Sequence, residues 1–172
     1  MRIGFEPNSI ERLDSALVPT ARNDELRLLY LGDYAFQELV GKPIRHMDFN
    51  ALILINKEVV SLTGEKHEYT EEDERRIRSL LKDVEQREVE ADFEEEILAK
   101  TSLLVFRIAS GQYFHEGNKR TALVAGLAFL QMNGYTLDIK NTDLVAVVDR
   151  AGISAATLND VHAALRRLIR SV

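Results

Sequence analysis

Beyond residue 48, apolar side chains recur at helical spacing along most of the chain. Leu52, Ile53, Ile55, Val59 and Val60 follow Asp48, whose carboxylate can accept from the free N–H groups of a first helical turn, and Gly64 is a natural stop. This predicts a helix from about Phe49 to Leu62, with a strand as the competing reading because several of these residues are β-branched. Thr70 and Asp73 have the spacing of a capping box, and Ile77, Leu80, Leu81 and Val84 continue as the apolar stripe of an amphipathic helix. Asp92 with Glu95 opens another, whose apolar side, Ile97, Leu98, Leu104, Val105 and Ile108, runs to Gly111.

The segment Thr121 to Met132 is apolar on almost every face and closes with Asn133 and Gly134. A helix with no polar side belongs in the middle of a core, so the helix beginning near Lys119 is predicted to be the most buried element. Tyr135 to Lys140 reads as a short extended piece, and Asp143 to Arg150 and Leu158 to Ile169 as two further helices around Gly152. All three prolines, Pro7, Pro19 and Pro43, fall in the first 43 residues. Residues 1–45 are therefore expected to form an irregular extension, and residues 46–172 an all-α bundle with room for minor β content.

Composition narrows the function more than the fold. A chain of 172 residues with 45% hydrophobic side chains supports one ordinary core. The 28 acidic and 22 basic residues leave a formal charge of -6, which disfavours broad contact with nucleic acid or anionic lipid, so any anion site must be local. Without cysteine there is neither a disulfide framework nor a thiolate zinc site. No signal-peptide pattern opens the chain and no apolar run approaches the roughly 18 residues that span a bilayer, so a cytoplasmic location is expected. The dense charge from Thr70 to Glu96 reads as the solvated faces of helices.

Chemistry is concentrated between residues 111 and 121, Gly-Gln-Tyr-Phe-His-Glu-Gly-Asn-Lys-Arg-Thr, directly before the apolar helix. With Asn118 as N-cap, Lys119 and Arg120 occupy the first turn, where the helix dipole disfavours a cation by roughly 0.3 to 1 kcal/mol. Something negative should compensate. Free N–H groups beside a flexible glycine, a lysine and an arginine suit a phosphate, and Glu116 could share a Mg²⁺ ion with it. The plainer alternative pairs Lys119 and Arg120 with carboxylates of the chain itself.

Phe114-His115-Glu116-Gly117-Asn118-Lys119-Arg120 resembles the latter part of the Fic/Doc signature, and Thr121-Ala122-Leu123 and Phe129-Leu130 to Asn133-Gly134 are similar to the Doc branch. The resemblance extends over about Met47 to Val172. It implies a helical fold with the motif loop between two central helices, and transfer of AMP, or in the Doc branch a phosphate, from a nucleotide such as ATP to a protein hydroxyl. It implies that Phe114 anchors the loop, Glu116 binds Mg²⁺, Gly117, Asn118 and Lys119 contact phosphate, and Arg120 holds the nucleotide phosphates. It also implies a protein target, or an antitoxin-like partner if the protein is a toxin, and places a target-docking flap over Gly64 to Tyr69. An inhibitory helix of the kind some relatives carry is not assigned, because Arg75 follows the otherwise suitable spacing of Thr70 and Glu74.

The departure is at the front of the motif, where the family's histidine falls on Gln112, followed by Tyr113. That histidine takes a proton from the attacking hydroxyl, which a glutamine amide cannot do. His115 and His67 are the candidate replacements, ahead of His46 and His162, and Tyr113 is expected to be a packing aromatic. Three functions remain open: a nucleotide- or phosphate-binding domain of weak or no transferase activity, an active transferase with another base, and an interaction domain that binds no nucleotide.

Overall fold

A computed structural model of the protein describes residues 43–89, 92–138 and 143–172. The chain divides after Pro43, and the second unit, Ile44–Val172, carries the elements below. Pro7, Pro19 and all but the last three residues of the expected irregular extension lie outside the described residues, as do Lys140 and its neighbours at the end of the expected extended piece.

Six helices and two short strands follow in order among the described residues: α1 (Phe49–Ser61), α2 (Glu71–Glu85), α3 (Phe93–Gly111), α4 (Asn118–Met132), β1 (Tyr135–Leu137), α5 (Asp143–Ala151), α6 (Leu158–Leu168) and β2 (Ile169–Ser171). This is the expected helical bundle with minor β content. Side chains cap four helix starts. Asp48 accepts from the N–H of Ala51, and Asp92 from that of Glu95. Thr70 with Asp73, and Thr157 with Asp160, form reciprocal capping boxes. The β-branched residues of α1 are tolerated because Val59 and Val60 are buried, and burial outweighs a small propensity loss.

The centre of the bundle is α3, which packs against α2, α4, α5 and α6. Ten of its nineteen residues are buried, against seven of fifteen in α4, which corrects the expectation that α4 is the most buried element. One face of α4, through Thr121, Ala122, Ala125, Gly126 and Phe129, lies on the core. Gly126 permits the close approach to α3, since a Cβ there would sit 2.4 Å from Val105 Cγ2. Its other side leaves Val124 44% exposed and lines an apolar groove with Leu137, Leu144 and Leu168. A uniformly apolar sequence cannot indicate which face meets the neighbour; the small residues decide it by allowing backbones to approach.

Two details differ at the C-terminus. Helix α6 stops at Leu168 rather than Ile169, and Ile169 turns into the extended region to begin β2. There β2 pairs antiparallel with β1, Leu137 opposite Ile169 and Tyr135 opposite Ser171. Lys100, 2% exposed, reaches from α3 to the end of α2, where its Nζ donates to the carbonyls of Val84 (3.3 Å), Glu85 (2.7 Å) and Arg87 (2.6 Å). A buried ammonium is tolerable there because it satisfies carbonyls that the end of α2 leaves open.

Candidate functional site

The connection from α3 to α4 is held from both ends. At the end of α3, Gln112 adopts a left-handed conformation (φ 50°, ψ 54°). Arg76 of α2 donates to the carbonyls of Gly111 (2.6 Å) and Gln112 (3.2 Å), and its guanidinium lies 5.0 Å from the centre of the Tyr113 ring. The Tyr113 hydroxyl accepts from Arg107 Nη2 (3.2 Å) and Nε (3.3 Å). Tyr113 is thus a packing aromatic, and a Cβ on Gly111 would collide with its ring at 2.3 Å.

Phe114 is buried, and the five residues from it to Asn118 form a tight turn closed by one side chain. Asn118 Oδ1 accepts from the Phe114 N–H (3.0 Å) and Asn118 Nδ2 donates to the Phe114 carbonyl (2.6 Å). Asn118 is therefore not the N-cap, as the sequence suggested. Gly117 caps α4 in the left-handed region (φ 75°), and the start of α4 has no side-chain cap. Glycine is required there on two counts: the positive φ, and the 2.7 Å that would separate a Cβ from Val60 Cγ1.

A second amide supports the turn from below. Asn56 of α1, 1% exposed, donates through Nδ2 to the Glu116 carbonyl (3.0 Å) and to Thr121 Oγ1 (2.9 Å). Because the Glu116 carbonyl can only accept, the NH₂ end of Asn56 must face it, leaving Oδ1 toward His67 Nδ1 at 2.6 Å. His67 consequently carries its proton on Nδ1. Burial, and then the charge of Lys57, keep its imidazole below the ordinary 6.5, so the ring is neutral at pH 7. Its Nε2 is buried and makes no hydrogen bond among the described residues. Sequence reasoning missed Asn56, though a signal existed: it is the one polar residue in the stripe Leu52, Asn56, Val59, Val60, and a lone amide on a core face needs partners.

Gln112, His115, Glu116, Gly117, Asn118, Lys119 and Arg120 line one polar pocket of about 280 Å³, with Ala109 and Gly152. The structure therefore brings Gln112, Glu116, Gly117, Asn118, Lys119 and Arg120 to one pocket with His115, whereas the other candidate base, His67, is not part of its lining. Lys119 and Arg120 occupy the first turn of α4, which contains no acidic residue. Their compensation comes from elsewhere in the chain. Lys119 Nζ lies 3.1 Å from Asp149, its stem packed over Gly152, where a Cβ would meet it at 2.9 Å. Arg120 pairs with Glu65 and donates to Thr63 Oγ1 (2.6 Å). The Thr63 hydroxyl, and then Arg120, hold the Glu65 carboxyl below its ordinary range.

Of the remaining histidines, His115 is exposed, on the Asp73 side of the loop. The hydrogen bonds from Thr70 and then the charge of Arg76 hold the Asp73 carboxyl low. His162 lies 3.1 Å from Glu95 on the surface, and the His46 ring is tilted against Phe129 with 6.3 Å between centroids. Among the described residues no three His, Cys, Asp or Glu side chains converge on a common metal position. Glu116 is thus a single carboxylate, which fits Mg²⁺ only in the manner of a site completed by phosphate oxygens and water.

The fold and site define a helical domain whose polar pocket opens at the start of a core helix. The model of the Fic/DOC family matches residues 46–130 and supports membership of that family over this segment, which contains α1 to α3 and most of α4. The resemblance drawn to Val172 thus extends beyond the matched residues. No curated protein shows a significant match to the chain. Among the described residues no helix is long and apolar enough to cross a membrane.

Proposed function

We propose that this protein is a Fic/Doc-like domain that binds a nucleotide or another phosphate anion and has weak or no transferase activity toward protein hydroxyls. The supporting observation is the uncapped start of α4, which opens into the pocket beside Lys119, Arg120 and Glu116. Backbone N–H groups there have no side-chain acceptor, and two cations share the turn. Lys119 and Arg120 would engage phosphate oxygens, the arginine through two donors. Mg²⁺, where it binds, would be held by Glu116 and by the phosphate itself, and would offset their mutual repulsion. Gln112, at the position where the resemblance would put the proton acceptor, lines the pocket. Its amide can orient a hydroxyl but cannot take its proton, which is why transfer is expected to be slow.

A relocated base has less support. His67 carries a free lone pair on Nε2, but that atom is buried, so residues 62–70 would have to move before an incoming hydroxyl reached it. An interaction domain without nucleotide binding is favoured by one observation, the pairing of both cations with internal carboxylates. Those pairs are half-exposed, and such pairs typically contribute about 0 to 1 kcal/mol, so they are weak competitors for a phosphate. Calorimetry with ATP and Mg²⁺ on the protein and on Arg120→Ala tests the reading. Binding that disappears with the guanidinium is expected; no heat from either protein would favour the interaction domain.

A further inference from the structure

The connection between α1 and α2, residues 62–70, reaches the loop's supporting network at two points. Gly64, at φ 72°, turns the chain back, and the Glu65 N–H bonds to the Val60 carbonyl (3.1 Å), which brings the Glu65 side chain up to Arg120. There the guanidinium uses both terminal nitrogens on this one segment, Nη2 on the Glu65 carboxylate and Nη1 on Thr63 Oγ1. The Thr63 hydroxyl donates to Glu65 Oε2 (2.8 Å), so the carboxylate is oriented as well as attracted. Two residues on, His67 donates to Asn56, which carries the loop.

A carboxylate offers a guanidinium a pair of oxygens and one negative charge, as one edge of a phosphate does. Here the Glu65 carboxylate and the Thr63 hydroxyl it is bonded to together occupy the donors that an oxyanion would need. The ion pair is partly open to solvent, with side-chain exposures of 40% for Arg120 and 33% for Glu65. It can open without leaving a buried charge unpaired.

We propose that Glu65 is an internal occupant of the Arg120 anion site, and that phosphate binding and release of residues 62–70 are a single exchange. It rests on the assignment of Arg120 as an anion ligand. The oxyanion takes the two guanidinium nitrogens as the Glu65 carboxylate and the Thr63 hydroxyl turn to water; no covalent bond changes. Because linkage is reciprocal, any partner that holds residues 62–70 in the released position raises the affinity of the anion site, and the anion raises the affinity for that partner.

The test uses the full chain and inorganic pyrophosphate as probe. Affinity is measured by calorimetry for the natural sequence, Glu65→Gln, Arg120→Ala, and Glu68→Gln, which removes the same charge from the same segment away from the guanidinium. Removing a half-exposed competitor should tighten binding about fivefold in Glu65→Gln, while Glu68→Gln stays within about twofold of the natural protein. Hydrogen exchange of amides 62–70 should quicken on adding pyrophosphate to the natural protein, and be fast already in Glu65→Gln. That second readout applies even if the variant is less stable, because the first half uses the natural chain. Arg120-dependent binding that is equal in the natural protein and Glu65→Gln overturns the exchange while leaving the anion site standing. Equal tightening by Glu68→Gln also overturns it, reducing the effect to general charge. No binding by any protein, or binding that survives Arg120→Ala, overturns the anion site and the exchange together.

Discussion

Replacing Asn56 by leucine should destabilise the protein well beyond what its conservative size suggests. The side chain is buried and makes three hydrogen bonds, to the Glu116 carbonyl, Thr121 Oγ1 and His67 Nδ1. Leucine has nearly the same volume, so the loss reports hydrogen bonding rather than a cavity. At a net value of about 1 kcal/mol each, the three bonds amount to ~3 kcal/mol. Thr121 is fully buried and loses its donor outright, whereas the Glu116 carbonyl and His67 are only partly enclosed and can recover water. A loss of about 2 to 4 kcal/mol follows, read from urea unfolding as a lowered midpoint at unchanged slope. Asn56→Asp should be at least as damaging, because it sets an oxygen against the Glu116 carbonyl. A loss below about 1 kcal/mol for the leucine variant would refute the reasoning, since the loop would then not depend on support from α1.

Gln112→His should raise AMP or phosphate transfer by about 10² to 10⁴ if a protein target is supplied, the range general-base assistance typically contributes; histidine is among the residues tolerated at the positive φ of position 112. Transfer by the natural protein that is abolished by changing His67 or His115 would instead assign the base to one of them. Lys100→Met should cost about 2 to 4 kcal/mol in thermal or urea unfolding, because the Glu85 and Arg87 carbonyls lose their donor and Glu96 loses its partner; a neutral result would mean that these groups are satisfied by water. The imidazoles of His46 and His67 are both held below their ordinary 6.5, by burial first and then by Lys100 and Lys57 respectively. The unfolded chain therefore binds more protons just below pH 6.5, so stability is full above that pH and falls as the pH drops toward the lowered folded values. Melting curves between pH 7.5 and about 5 should show this decline, and His67→Gln should flatten it; an unchanged slope would exclude His67 as a source.

Local chemistry was sufficient where a few adjacent residues decide the outcome. The caps at Asp48, Thr70 and Asp92 are visible because an N-cap answers N–H groups two or three residues away, and the spacing of Ile77, Leu80 and Val84 marks a buried stripe without reference to any partner. The sequence alone also located the seven pocket residues between Gln112 and Arg120, since positions so close along one short connection cannot be far apart. Tertiary structure decided what those residues face. Asn118 closes the turn instead of capping the helix, because the support of Asn56 and the Gly117 turn leaves its amide beside Phe114. Glu65 and Asp149, 55 and 30 residues from their cations, reach Arg120 and Lys119 only through the packing of α1 and α5 against α4. Likewise the burial of α3 over α4 depends on Gly126 meeting Val105, a contact between two helices that no periodicity along one of them contains. Short-range order is written in spacing because the chain itself brings those groups together, whereas the partners of a charge or an apolar face depend on which elements pack beside it.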